Sequence, residues 1–224
     1  PHLGTYSYEI GEPNLRIENT LGLESSMEYI AEKSDIRFTL YHNYSPNYHI
    51  STALGNEYVT GADYIEWGSG SAGWLYKYQM KGLETRIYGF ETEIDYQLTK
   101  KINIFTSLSI SRGENLSDEI PLSYMPPDKF IFSSEINLDP LKIDLIYKQA
   151  LKQSRLGEFE TSTNGYKIID LNTSFSRNSN KLMHKFILGI ENILNREYYN
   201  HLSRIKLVMP EKGRSLNMQY RLIF

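Results

Sequence analysis

The chain has no cysteine. That excludes a disulfide framework, a thiolate metal site and a thiol nucleophile, and leaves the redox compartment open. It also lacks any apolar run near the roughly 18 residues a transmembrane helix needs, and its mean hydropathy is only -0.45. A helical span is therefore excluded, but a barrel is not, because barrel strands need only about 9 to 11 residues with every second one apolar. Charge of one sign is missing too. With 24 Lys and Arg against 27 Asp and Glu, the chain carries no basic field of the kind nucleic-acid binding requires, so no nucleic acid is expected as a partner. No helical period holds beyond about two turns, so little helix is expected. Residues 1–8 carry no signal-peptide pattern, which implies a removed signal or a fragment.

Chemistry-bearing motifs are equally sparse. The five histidines, His2, His42, His49, His184 and His201, show no pair at metal-ligand spacing, so no metal site is expected. Neither a Gly-x-Ser-x-Gly elbow nor a glycine-rich phosphate loop occurs, and no catalytic residue or cofactor is assigned.

What the chain does have is tyrosine, 18 of 224 residues, and alternation. Tyrosine enrichment fits aromatic girdles at membrane interfaces or ligand-contacting loops, since a ring with a polar tip suits both. The alternation is plainest at the C-terminus. Leu216, Met218, Tyr220, Leu222 and Phe224 share one face of a strand, opposite Ser215, Asn217, Gln219 and Arg221. Eight further segments follow the same plan. The first spans about 15–29, with Leu21, Leu23, Met27 and Tyr29 on one face and carboxylates on the other. The second has Ile36, Phe38 and Leu40, and the third is a long segment over about 74–98. The rest are centred on Ile102 to Ile110, Phe130 to Leu138, Leu141 to Tyr147, Ile169 to Phe175 and Phe186 to Ile190.

Short polar turns alternate with long connections at 45–73, 113–127, 148–165 and 195–212. That asymmetry is the plan of an antiparallel up-and-down transmembrane β-barrel, with short turns on one side of the membrane and long loops on the other. Nine strands are the wrong parity for a single-chain barrel with both ends on the short-turn side. Either residues 3–10 supply a tenth strand, or the chain is the C-terminal piece of something larger.

Several strings resemble the C-terminal half of TonB-dependent outer-membrane receptors. Asn14-Leu15-Arg16-Ile17-Glu18 with Glu24 is similar to the family's Asn-Leu-x-Pro-Glu pattern, with Ile17 in place of proline. Gly89-Phe90-Glu91-Thr92-Glu93 resembles its Gly-x-Glu-x-Glu strand, and Met125-Pro126-Pro127 its Ile-Pro-Pro segment. The series Glu191-Asn192-Ile193-Leu194-Asn195, Tyr198, His201-Leu202, Pro210-Glu211, Gly213-Arg214 and Phe224 resembles the family's closing series, with Leu194 and Asn195 replacing Phe and Asp.

The resemblance implies about 9–10 strands of a 22-stranded barrel, residues 1–224 being its C-terminal portion without the N-terminal plug. It implies an outer-membrane receptor of a Gram-negative bacterium that imports a scarce nutrient complex, foremost a ferric siderophore. The partners would be outer-membrane lipid, the plug, TonB and an extracellular metal chelate. A complete ten-stranded barrel acting as an enzyme or adhesin, and a soluble β-sandwich binding module, are the alternatives.

Candidate ligand contacts are aromatic and basic side chains of the long loops: Tyr48, His49, Tyr64, Trp67 and Trp74 in the longest, and His201 with Arg204 and Lys206 in the last. Lumenal acids such as Glu18, Glu24, Glu91, Glu93 and Asp95 are expected to hold wall networks, and Arg214 to pair with lumenal carboxylates.

Overall fold

The computed structural model describes residues 1–3, 7–54, 64–66, 74–158, 160–180 and 182–224. The strands are β1 (Ser7–Ile10), β2 (Leu21–Ile30), β3 (Ser34–Ala53), β4 (Tyr64–Glu66), β5 (Trp74–Thr99), β6 (Ile102–Asn115), β7 (Ile120–Pro121), β8 (Lys129–Leu138), β9 (Leu141–Ala150), β10 (Tyr166–Ser179), β11 (Leu182–Glu191) and β12 (Ser215–Ile223). The nine longer ones form an antiparallel up-and-down wall in the order β12-β11-β10-β9-β8-β6-β5-β3-β2, in which each is paired to the next long strand along the chain; the short strands β1 and β4 pair with β5 and β7 with β6, off this path. These nine are the segments the alternation marks out. No second sheet packs on the first among the described residues, so the sandwich reading falls away.

The registers sort every side chain to one of two faces. On the outward face, Met27 opposes Phe38, Leu40 opposes Phe90, Ile102 opposes Ile136, Leu145 opposes Leu171, and Leu188 opposes Met218. On the other face, Glu28 opposes Arg37, Arg37 opposes Glu93, Asn103 opposes Glu135, and Lys185 opposes Arg221. Outward residues such as Met27, Phe132, Phe186 and Met218 remain 37–78% exposed, and every wall strand contributes apolar side chains to that face, interspersed with small polar ones such as Thr92, Ser134 and Thr173. A predominantly apolar surface of that extent is foreign to soluble monomers and suits hydrocarbon. Strands β8, β9, β11 and β12, at 10, 10, 10 and 9 residues, match the length a tilted strand needs to cross a bilayer.

Polar tiers bound the band. At the long-connection end, Tyr44, Tyr88 and Tyr147 face outward beside Arg86 and Arg112; Tyr88 donates to Glu114 at 3.1 Å, and Arg112 donates to Asp128 at 2.9 Å. The short-turn end is marked by Tyr29 and Tyr96. Tyrosine thus serves the girdle reading at these positions.

Three expectations are corrected. Of the stretch 3–10, the described strand Ser7–Ile10 is not a tenth wall strand: it is short and pairs in parallel with Tyr76 to Gln79 of β5, above the band, rather than with β2. The first segment begins at Leu21 rather than near residue 15, since 15–20 lie across a register shift in β3, where Ser45 Oγ donates to the Asn19 carbonyl at 2.7 Å. The longest connection is shorter than its composition suggests. Strand β3 continues to Ala53 and β5 begins at Trp74, pairing as a hairpin that stands beyond the band.

Tight burial is confined to the long-connection end, at Leu75, Tyr78, Leu122, Ala150 and Ile168. There the loops pack on one another and on the rising hairpin.

Candidate functional site

The sequence-chosen residues separate into two places. Tyr48 and His49 lie on β3 rather than in a loop, paired with Leu83 and Gly82. His49 is tied to the segment crossing the β3 shift: its N–H donates to Glu18 at 2.9 Å, and its Nε2 lies 2.7 Å from the Arg16 carbonyl. Asn47 donates to the same carbonyl. The Asn14 to Glu18 motif therefore acts as a strap over the shift, and Glu18 is one of its fasteners.

Tyr64 sits on β4, opposite Tyr76, six residues up β5 from Gly82, or about 20 Å. Trp74 is the first residue of β5, and Trp67 lies outside the described residues.

His201 and Arg204 are brought together with residues of two other connections. His201 is buried, its side chain 1% exposed, between 151–165 and its own connection. Its Nε2 lies 3.2 Å from Glu160, and its Nδ1 lies 2.9 Å from the Thr163 hydroxyl and 3.2 Å from the Lys206 ammonium. Lys206 also donates to the Thr161 carbonyl at 2.7 Å and to Thr163 at 3.0 Å. An ammonium only donates, so Nδ1 is the acceptor; the geometry assigns the proton to Nε2, aimed at Glu160. All three Lys206 protons then have acceptors.

Glu160 also accepts from the Gly157 N–H at 2.8 Å and the Tyr124 N–H at 2.7 Å. Burial pushes its acidity down. The hydrogen bonds from His201, Gly157 and Tyr124 outweigh burial and hold the carboxyl below its usual range. Burial draws Lys206 below the ordinary ammonium range, with the Glu160 charge opposing. Tyr124, held at a φ of 62° that bulky residues avoid, keeps that conformation with its N–H on Glu160.

Arg204 is at the mouth of this cluster, 3.4 Å from Glu9 of β1, with its guanidinium 5.9 Å over the Tyr124 ring. The cavity beside it, bounded by Tyr78, Tyr124, His201 and Lys206, is about 40 Å³. That is room for a few waters, not for a chelate. The basic patch read from the sequence is therefore a charge-balanced latch joining three connections, with Glu160, Thr163, Tyr124 and Glu9 as its missed members. None of these could be found from spacing, since Glu9 and Arg204 stand 195 residues apart.

The closing motif is explained by the same kind of joinery. Asn192, at φ 50°, exchanges hydrogen bonds with the Arg196 backbone at 2.8 and 2.9 Å, and its own N–H donates to buried Asp170 at 2.8 Å. Asp170 in turn holds Lys148 at 2.7 Å. Asn195 accepts from the Arg214 N–H at 2.9 Å, and Glu211 N–H reaches the Tyr198 carbonyl at 2.8 Å. The Gly-Arg pair contributes its backbone, and the Arg214 side chain makes no ion pair among the described residues. Among lumenal acids, Glu28 and Glu93 flank Arg37 at 2.6 and 3.4 Å, and Asp95 accepts from Asn103 at 3.0 Å. Of the acids the sequence reading names, Glu91, Glu93 and Asp95 make cross-strand contacts in the wall, whereas Glu18 fastens the strap. No group of three His, Asp or Glu side chains among the described residues is placed to hold a metal ion.

No protein-family model matches the chain. Solved structures do. The copper transporter OprC is similar at a TM-score of 0.74 and 20% identity, over 91% of this chain and 31% of its own. The pyoverdine outer membrane receptor FpvA from Pseudomonas aeruginosa PAO1, bound to pyoverdine, gives 0.66 and 17% over 98% of this chain and 32% of its own. The FrpB iron transporter from Neisseria meningitidis gives 0.64 and 13%, over 95% and 32%. The chain therefore has the barrel-wall fold of these proteins and spans about a third of their length.

Proposed function

We propose that the chain is the C-terminal part of the barrel wall of a TonB-dependent receptor in a Gram-negative outer membrane. The observation that carries this reading is the nine-stranded wall itself, with a predominantly apolar outward face, a polar inward face and all long connections at one end. A wall with hydrogen-bonding neighbours only along the chain ends in two unpaired edges, β2 and β12. Edges cannot stand in hydrocarbon, so further strands of the same barrel would close it. The matched structures, about three times as long, have the length for them.

In this reading the receptor takes up a scarce nutrient chelate from outside and passes it through a lumen closed by a plug, with energy from TonB. A ferric siderophore leads, since pyoverdine and iron figure in the names of matched proteins, and a copper chelate is the next to test. Tyr48, Tyr64, Trp67, Trp74 and Arg204 are the proposed ligand contacts, on the chemistry of aromatic and guanidinium groups against planar, anionic chelates. His49 and His201 act behind them as fasteners of the strap and the latch.

The test is uptake by cells producing the whole receptor, supplied with labelled ferric siderophores, haem, cobalamin and copper chelates, with and without TonB. One substrate is expected to accumulate only when receptor and TonB are both present. Accumulation indifferent to TonB, or recovery of the receptor outside the outer membrane, would overturn the proposal.

A further inference from the structure

Just above the apolar band, the outward side of β9 and β10 opens into a groove of about 690 Å³, a volume typical of small-molecule sites. Its floor continues the band. Tyr147 and Ile169 oppose each other across the two strands, and Leu194, half exposed, is drawn over them by the Ile193 N–H to Ile169 carbonyl bond at 2.8 Å. Its rim carries Lys152 from the end of β9, Lys167 from β10 and Arg196 from the last long connection. All three are exposed, and none is ion-paired among the described residues. On the other face of β9, Lys142 and Lys148 each sit on a carboxylate at 2.7 Å. The one carboxylate on the rim, Glu197, accepts the Tyr199 hydroxyl at 2.9 Å. The groove lies between strands with neighbours on both sides, so an open sheet edge does not create it.

We infer that this groove binds the phosphorylated headgroup of an anionic lipid of the outer leaflet, its acyl chains lying along the band below. Three unpaired cations from three chain segments converge where the apolar face meets the tyrosine tier, which is the height of a headgroup. A soluble anion would satisfy the rim and leave the apolar floor uncovered. The inference rests on the outer-membrane reading above. It concerns the outside of the wall and is independent of what passes through the lumen.

The receptor, extracted whole from outer membranes in mild detergent, would be titrated with lipid A, phosphatidylcholine and inorganic phosphate and read by native mass spectrometry. One lipid A per receptor is expected to bind in preference to phosphatidylcholine. Combined Lys152→Gln, Lys167→Gln and Arg196→Gln should weaken it about tenfold or more, and Lys152→Arg with Lys167→Arg should retain it. Equal retention of the two lipids, undiminished lipid A binding by the triple variant, or full displacement by inorganic phosphate would each overturn the inference while leaving the receptor in its membrane. Absence of the protein from the outer-membrane fraction would overturn the membrane reading and this inference with it.

Discussion

Glu160 is where sequence-distant residues are joined most closely. Its carboxylate takes hydrogen bonds from His201 and from the Gly157 and Tyr124 backbone, so three connections meet on one side chain. Replacing His201 by Ala leaves that buried acceptor short of a partner, a loss of about 1–3 kcal/mol in local stability. Faster hydrogen exchange at the 157–163 amides in the variant would register it, and unchanged exchange would contradict the latch. The pH dependence has a definite sign. A carboxyl held below its ordinary value of 4.5 contributes stability that is complete above that value and is lost as pH falls below it. The same amides should therefore stay protected at neutral pH and lose protection below about pH 4.5, with Glu160→Gln protected less throughout and insensitive to that acid step.

The elements of the wall obey a two-face rule that substitution can check. Leu188 faces outward between Thr173 and Met218, and its neighbour Ile187 faces inward between Ser174 and Gln219. Arginine at 188 should destabilise the folded wall by about 2–4 kcal/mol, and arginine at 187 by far less, because the first enters hydrocarbon and the second the lumen. Urea unfolding in detergent or lipid would compare them, and equal losses would refute the assignment of faces. Gly89 tests the close approaches within the wall. A Cβ there would lie 2.2 Å from the Ile110 carbonyl and 2.6 Å from the Tyr41 hydroxyl. Gly89→Val should cost about 1–3 kcal/mol through displaced strands, visible as a lower melting temperature of the receptor.

These elements were legible because a period of two, repeated nine times, survives in composition: Leu216 to Phe224 and Phe130 to Leu138 announce their faces residue by residue. The strap at 15–20 reads as strand because its residues also alternate, and only the β3 shift shows that they run across one. The latch was half legible, since His201, Arg204 and Lys206 are neighbours in sequence whereas Glu160, Thr163 and Tyr124 reach them only through the fold.

For the whole molecule, the two edges decide behaviour. Produced by itself, the chain presents β2 and β12 unpaired beside a broad apolar face, and should associate or require detergent. Sedimentation of the refolded chain would tell; a monodisperse monomer in plain buffer would refute the membrane wall.

The up-and-down order of the wall also sets where change is tolerated. Within the wall each strand registers only with the strand on either side, so a hairpin can lengthen beyond the band without shifting the registers inside it. The β3–β5 hairpin, at 20 and 26 residues beside wall strands of 9 to 14, is the tallest, and the shift between Ser45 and Tyr48 separates its upper rungs from its lower ones. Substitutions above that joint can therefore reshape the exposed end while the registers below it stay as they are.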